Sequence, residues 1–300
     1  MDQISVYLNG NWILNSELHV AVDDAGFLLG ATVTERLRTF GHRVFRLEAH
    51  LERLRNSLNI IGLDRVTICD QVGTAVAEFI RRNQSLMQPG DDWAIVAFAT
   101  PGVAGSGRPT VCVHGFPLPF KSWAAQFEAG VSVVISPIRQ IPANSLPPEL
   151  KCRSRMHYYL ADREAAARQP GSRAILLDQD GHIAEGTTAN VVIYRDGEGL
   201  VSPPHDNILL GVSLGVVQEL AGKLNIPFIS RPLTVDDFRS ADEVLLASTS
   251  ICILPIIECE RKPIGTGKPG PVYRQLLSAW NELVGLDIAA QARQYATRTS

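Results

Sequence analysis

Several places along the chain hold side chains suited to chemistry. Lys151 stands in Leu150-Lys151-Cys152-Arg153-Ser154-Arg155-Met156, after the proline-rich residues 142–148 and ahead of residues 156–168, whose pattern reads as helix. Prolines fix φ and push their predecessors out of the helical region, so Lys151 is expected where an extended segment meets a helix start. The partial positive charge of a helix start favours a neutral lysine amine, the form that attacks a carbonyl to give a Schiff base. A solvated surface lysine fits the same spacing. Glu185 lies in Ile183-Ala184-Glu185-Gly186-Thr187-Thr188-Ala189-Asn190, among small and hydroxyl residues. If buried, its carboxylate needs a partner; an exposed turn glutamate fits equally. Gly211-Val212-Ser213 opens a helical pattern with free N–H groups and a hydroxyl, which suits an anion or an ordinary cap. Ser248-Thr249-Ser250 ends a strand with three hydroxyls, which suits a phosphate or plain turn chemistry.

The elements that must position these groups follow from periodicity. Leu47, Leu51, Leu54, Leu58 and Ile61 repeat at helical spacing, with His50 and Arg53 one turn apart on the flank of that stripe. Residues 33–40 alternate, so Val33, Glu35, Leu37 and Thr39 share one strand face, while Thr34, Arg36, Arg38 and Phe40 share the other. Two arginines on one face also fit a solvated exterior. Asn9-Gly10-Asn11 signals a hairpin between residues 4–8 and 12–14. Residues 66–82 and 272–283 read as helices, and Leu210, Leu214, Val217, Ala221 and Leu224 mark another. Residues 93–99, 111–116, 131–135, 173–177, 191–195 and 243–247 read as strands. The glycine-rich stretch 100–109 lacks the lysine and spacing of a nucleotide-binding loop and reads as a flexible connection. Pro117-Leu118-Pro119 is the expected linker between residues 1–117 and 118–300. Helices and strands mix without a regular βαβ rhythm, which indicates an α+β fold of two domains.

Composition narrows the function classes. A hydrophobic fraction of 45%, a charged fraction of 20% and a net charge of −3 describe an ordinary globular protein, without the basic footprint of a nucleic-acid or membrane-surface binder. The five cysteines, Cys69, Cys112, Cys152, Cys252 and Cys259, are odd in number and scattered, which argues against a disulfide framework or a zinc site. No metal is expected. No apolar run is long enough to span a bilayer, and residues 1–5 lack the pattern of an export signal, so the cytoplasm is the default expectation.

Taken together, the motifs resemble in order and spacing the class IV aminotransferases, the fold-type IV pyridoxal-phosphate enzymes. That family includes branched-chain and D-amino-acid aminotransferases and aminodeoxychorismate lyase. Asp24-x-Gly26-Phe27 with Gly30 resembles its N-terminal signature, and His50-Leu51-Glu52-Arg53-Leu54 its H-x-x-R-L helix. Leu150-Lys151-x-x-Ser154 resembles its lysine segment, with serine where asparagine is more usual. Glu185-Gly186-Thr187-Thr188-x-Asn190, Gly211-Val212-Ser213 and Thr249 match its remaining signatures. The resemblance implies pyridoxal 5'-phosphate as cofactor, a small α/β domain with a larger barrel-like domain, and active sites at the domain boundary of a homodimer. It implies Lys151 and Glu185 as catalytic residues, the lysine holding the cofactor and the glutamate pairing with the ring nitrogen. Arg53, Asn190, Val212, Ser213 and Thr249 would bind the cofactor, chiefly at its phosphate. The activity implied is transfer of an amino group between an amino acid or amine and a 2-keto acid by a ping-pong mechanism. The alternative is a lyase that splits an amino-chorismate into 4-aminobenzoate and pyruvate.

Substrate marks depart from the best-known members. Pro101 stands where the D-amino-acid branch has an arginine, Arg36 where the lyase has a threonine, and no tyrosine matches that of the branched-chain branch. Arg155 is shared with the lyase. Tyr158 and Tyr159 read as core or rim residues. Thr34, Arg36, Arg38 and Arg155 are the expected substrate contacts, with the two strand arginines holding a carboxylate. If they are instead structural, Glu35 of a partner chain or Asp24 would be their counter-ion.

Overall fold

The computed structural model describes residues 3–297, so the expectation drawn from residues 1–5 lies partly outside it. Its elements in chain order begin with β1 (Ser5–Leu8), β2 (Asn11–Leu14), α1 (Ala25–Leu28), β3 (Val33–Phe40), β4 (Arg43–Val44), α2 (Leu47–Ile60), α3 (Arg65–Asn83), β5 (Trp93–Thr100) and β6 (Thr110–Pro117). They continue through α4 (Gln126–Ala129), β7 (Val131–Ile135), α5 (Met156–Arg168), β8 (Arg173–Leu177), β9 (Ile183–Gly186), β10 (Ala189–Arg195), β11 (Gly199–Ser202) and α6 (Val212–Lys223). The last are β12 (Phe228–Ser230), α7 (Val235–Arg239), β13 (Glu243–Ser248), β14 (Cys252–Cys259), β15 (Lys262–Pro263), α8 (Pro271–Val284) and α9 (Ile288–Gln294). The α+β expectation holds.

The chain forms two compact units. The first runs to Pro119 and includes Glu149–Ser154. Its antiparallel sheet has the order β2-β1-β6-β5-β3-β4. The α2 stripe works as its spacing requires: Leu51, Leu54 and Leu58 pack with Ile68, Val72, Val76 and Phe79 of α3 and with Val33, Leu37 and Ile95 of the sheet. The glycine-rich connection between β5 and β6, expected to be flexible, is tied down. Asp24 accepts hydrogen bonds from Thr100 and Thr110, and Ala25 N–H donates to Gly102 O at 2.9 Å. Gly102 has φ +79°, and a Cβ there would lie 2.0 Å from Arg108 O, so the loop closes only around glycine. Leu118, in the expected linker, is fully buried and donates its N–H to Asp92 O at 2.9 Å.

The second unit comprises Phe120–Pro148 and Arg155–Thr297. Strands β7, β8, β9, β10, β13 and β14 pair in that order, and pairing of β14 with β7 closes the ring. This is the barrel-like domain the resemblance implies. No helix of the described residues is long and apolar enough to cross a membrane.

Candidate active site

Lys151 belongs to the first unit, and backbone pairing puts it there. Thr34 N–H donates to Lys151 O and Arg153 N–H donates to Thr32 O, both at 2.9 Å, around a Val33–Cys152 bridge. From the other side, Lys151 N–H donates to Ser57 Oγ of α2 at 3.1 Å. The expectation that Lys151 lies at a helix start is therefore corrected. Helix α5 begins only at Met156, and a helix field fades within its first turn. An edge position on β3 replaces the helix junction. Cys152 shares the Val33 face, which is turned to α2 and α3. Lys151 and Arg153 therefore share the opposite face with Thr34 and Arg36.

Arg53 is fixed by a residue whose role the sequence reading missed. Its Nε and Nη2 donate to the two oxygens of Glu35 at 2.8 Å each, a two-point geometry available only to arginine. His50 Nδ1 lies 2.7 Å from Glu35 Oε2. His50, Arg53 and Ser57 fall at helical spacing, so one α2 stripe serves both Glu35 and Lys151. Burial raises the Glu35 pKa, but the Arg53 charge and the hydrogen bonds from Arg53 and His50 outweigh it, and the carboxyl stays ionised well below the usual range. Burial lowers the His50 pKa against the pull of Glu35, so the ring is neutral and its Nδ1–H is the donor. Its buried Nε2 has no hydrogen-bond partner among the described residues. A lone carboxylate between Val33 and Leu37 on an apolar strand face was the signal that could have identified Glu35.

The other face of β3 separates its two arginines. Arg38 is 1% exposed, stacks over Phe40 at 3.9 Å and donates from Nε to Thr39 O at 3.3 Å. That rules out a solvated exterior. Arg36 is half-buried, with its guanidinium 4.7 Å from the centre of Phe116. Within this chain Glu35 is on the opposite face holding Arg53, and Asp24 accepts from Thr100, Thr110 and Gly26 N–H. His114 is held down to about 4 by burial and by the charges of Arg153 and Arg36, which places both arginines near one neutral ring. Arg153 was not among the expected substrate contacts. Thr34 Oγ1 donates to Ala97 O at 3.0 Å.

The second unit holds the remaining candidates. Glu185 is buried on β9, not exposed in a turn, and Tyr158 Oη and Gln140 Nε2 both donate to its Oε1. Tyr158, expected to be core or rim, packs against the cluster of Val134, Ala161, Ala165, Ala174 and Leu176 and is in addition a partner of Glu185; Tyr159 is exposed. Asn190 lies opposite Glu185 on β10, and its Nδ2 donates to Leu209 O at 2.8 Å, bracing the turn into α6. Gly211 is the N-cap, no side chain caps the helix, and Ser213 is buried in its first turn. A Cβ on Gly211 would lie 2.1 Å from Asn190 Oδ1, so any larger residue there must displace the side chain that braces this turn. Thr249 is half-buried in the turn between β13 and β14. Arg155 is the N-cap of α5, and its charge bears on His157 and Tyr158.

Within the first unit the fixed Arg53 guanidinium suits a phosphate; within the second, the uncapped N-terminus of α6 suits an anion and the buried Glu185 carboxylate suits a basic ring nitrogen. Residues 32–259 match the family model described as amino-transferase class IV. The chain is 30% identical over 294 residues to D-alanine aminotransferase of Staphylococcus aureus (strain MW2), covering 93% of this chain and 97% of that protein. It is 28% identical over 288 residues to a putative branched-chain-amino-acid aminotransferase of Methanocaldococcus jannaschii, covering 93% and 96%. Among solved structures it resembles the T.th. branched-chain amino acid aminotransferase, complexed with N-(5'-phosphopyridoxyl)-L-glutamate, with a TM-score of 0.84, 25% identity and 94% of each chain covered. The same enzyme with pyridoxamine 5'-phosphate matches equally, again with a TM-score of 0.84.

Proposed function

Because the chain belongs to the class IV aminotransferases, we propose that it is a pyridoxal-phosphate-dependent transaminase. It moves an amino group between an amino acid or amine and a 2-keto acid, in two half-reactions at one site. The observation that carries this reading is that β3 and α2, the two elements that fix Arg53, also hold the backbone of Lys151. A phosphate ligand and a reactive amine are thereby referenced to one rigid pair of elements.

When bound, the cofactor supplies a carbonyl that carries the amino group and a ring that withdraws electrons. Lys151 holds it through the side-chain amine and, once released, moves a proton as general base and acid. Arg53, the Val212 and Ser213 amides, the Ser213 hydroxyl and Thr249 hold the phosphate, and Asn190 keeps the α6 turn in shape. Glu185 holds the proton at the ring nitrogen. Arg36 receives the substrate carboxylate, with Thr34 on the same strand face and Arg153 beside the same neutral His114. A dicarboxylic keto acid such as 2-oxoglutarate is the acceptor class this charge suits. Arg155 is assigned to substrate from the resemblance. The lyase reading rests on that arginine alone, and no geometry favours it.

We also infer a homodimer. Val22, Phe27, Leu28 and Leu29 are 61–79% exposed around α1, and Met156, Tyr159 and Leu160 are exposed on α5. Apolar groups crowded on short stretches in this way need cover. The cytoplasm remains the proposed location.

Borohydride reduction of the cofactor-loaded protein followed by peptide mapping tests the core of the reading. The label is expected on Lys151; a label on Lys121, Lys223 or Lys268 would overturn it. A screen of amino donors, read as conversion to the pyridoxamine form, then identifies the substrate.

A further inference from the structure

The carboxylate of Glu185 is the third corner of a closed hydrogen-bond ring. Gln140 reaches it from the segment after β7. The backbone of Gln140 is pinned by N–H donation to Leu177 O at 2.8 Å, and its own carbonyl accepts from Gln179 Nε2 at 2.6 Å. Ile141 N–H donates to Gln140 Oε1 at 3.1 Å, which fixes the orientation of the amide, with Nε2 as the donor end. Gln140 Nε2 then donates to Glu185 Oε1 and also lies within hydrogen-bond distance of Tyr158 Oη, at 3.1 Å. Tyr158 Oη completes the ring by donating to that same Oε1. Tyr158 comes from the first turns of α5, and Glu185 from a strand whose neighbours are both paired. None of the three side chains can turn without breaking two bonds.

We propose that Tyr158 and Gln140 are positioning residues that set the proton affinity of Glu185, and through it the protonation of the cofactor's ring nitrogen. The inference rests on the reading that Glu185 faces that nitrogen. Two neutral donors converging on one carboxylate oxygen stabilise the ionised form. A less basic carboxylate leaves the shared proton on the ring nitrogen. The phenol is a dependable donor, because burial and the adjacent carboxylate keep it protonated far above its usual range. Losing either donor makes Glu185 more basic and draws the proton from the ring nitrogen toward the carboxylate.

The test uses the whole protein loaded with pyridoxal phosphate isotopically labelled at the ring nitrogen, and reads that nitrogen by NMR. Tyr158→Phe keeps the ring and its packing and removes only the hydroxyl. Gln140→Leu, in a half-buried segment, is the second probe should Tyr158→Phe fold poorly. Each is expected to lower the ratio of nitrogen-protonated to carboxylate-protonated forms by about tenfold, the strength of one hydrogen bond to a charged group. The signal should then move toward the unprotonated position. Glu185→Gln is the control and should move it furthest. If the control moves the signal and both donor variants leave it in place, even with lowered melting temperatures, the two residues are purely structural and the inference fails. If Glu185→Gln leaves the signal unmoved, the assignment of Glu185 to the ring nitrogen fails, and the inference falls with it.

Discussion

Glu35 accepts a 2.8 Å hydrogen bond on each oxygen from Arg53, and it is 1% exposed. Breaking such a buried pair leaves a guanidinium without its counter-charge. Glu35→Gln should lower the stability of the cofactor-free protein by roughly 3–5 kcal/mol. A phosphate dianion at Arg53 replaces part of the lost charge. Calorimetry should therefore show pyridoxal phosphate stabilising the variant more than the wild type. Equal stabilisation would mean that the phosphate does not reach Arg53.

The Gly211–Asn190 contact makes a sharper test of the phosphate turn. Gly211 has φ −72°, so alanine meets no backbone strain, only the amide oxygen of Asn190 at 2.1 Å. Gly211→Ala should weaken cofactor binding by roughly tenfold or more. In an Asn190→Ala background the same substitution should cost much less, since its obstacle is gone. Additive effects in equilibrium dialysis would show that the crowding is unimportant.

Arg36 and Arg38 should separate by phenotype. Arg36→Ala should raise KM for a dicarboxylic keto acid by about 10–100-fold and leave an uncharged amine donor nearly unaffected. Arg38→Ala removes a fully buried side chain stacked on Phe40, so it should chiefly lower the melting temperature. Equal kinetic losses on both substrates in Arg36→Ala would return that arginine to the scaffold.

Acid should weaken the first unit. His50 and His114 have pKa values lowered from 6.5, the latter to about 4, so between these values the unfolded chain binds protons that the folded chain does not. Stability therefore falls as pH drops from 6.5 toward 4. Glu35, also lowered, adds to the loss below its ordinary value of 4.5. The combined effect in denaturant titrations should be on the order of 1–3 kcal/mol across the histidine window. His114→Gln should flatten part of the slope; an unchanged slope would dismiss His114.

The exposed apolar residues at α1 predict the oligomeric state. Phe27→Asp with Leu29→Asp should convert a dimer to monomer in analytical ultracentrifugation while far-ultraviolet circular dichroism stays the same. A wild-type monomer would remove the dimer from the proposal.

The legible parts of this chain were those written in local periodicity. The Leu47–Ile61 spacing identified the buried face of α2, and the alternation of residues 33–40 sorted Glu35 from Arg36 correctly. Residues 66–82 and 272–283 fell within one residue of α3 and α8 at each end. The candidate site residues were named from motif order alone, because the contact between Gly211 and Asn190 is visible only once their turn is built. What stayed hidden depends on distant pairing. Nothing in Lys151-Cys152-Arg153 signals a strand, since three residues cannot show alternation, and the partner edge at Thr32–Thr34 lies more than a hundred positions earlier. Gln140 in its proline-rich approach and Tyr158 on a weakly amphipathic helix were hidden for the same reason.

That short return to β3 has a consequence for how the polypeptide is made. The chain leaves the first unit at Pro119, comes back for Glu149–Ser154 and departs again, so any contiguous fragment that holds both of these segments also carries residues 120–148 of the second unit. During synthesis the N-terminal half emerges with the Thr32–Thr34 edge bare, and that edge stays open until Arg153 clears the ribosome. An uncovered edge recruits whatever strand is nearest. A truncation ending at residue 119 should therefore yield a sticky, self-associating species. Supplying residues 149–154 as a separate peptide would be the direct way to quiet it.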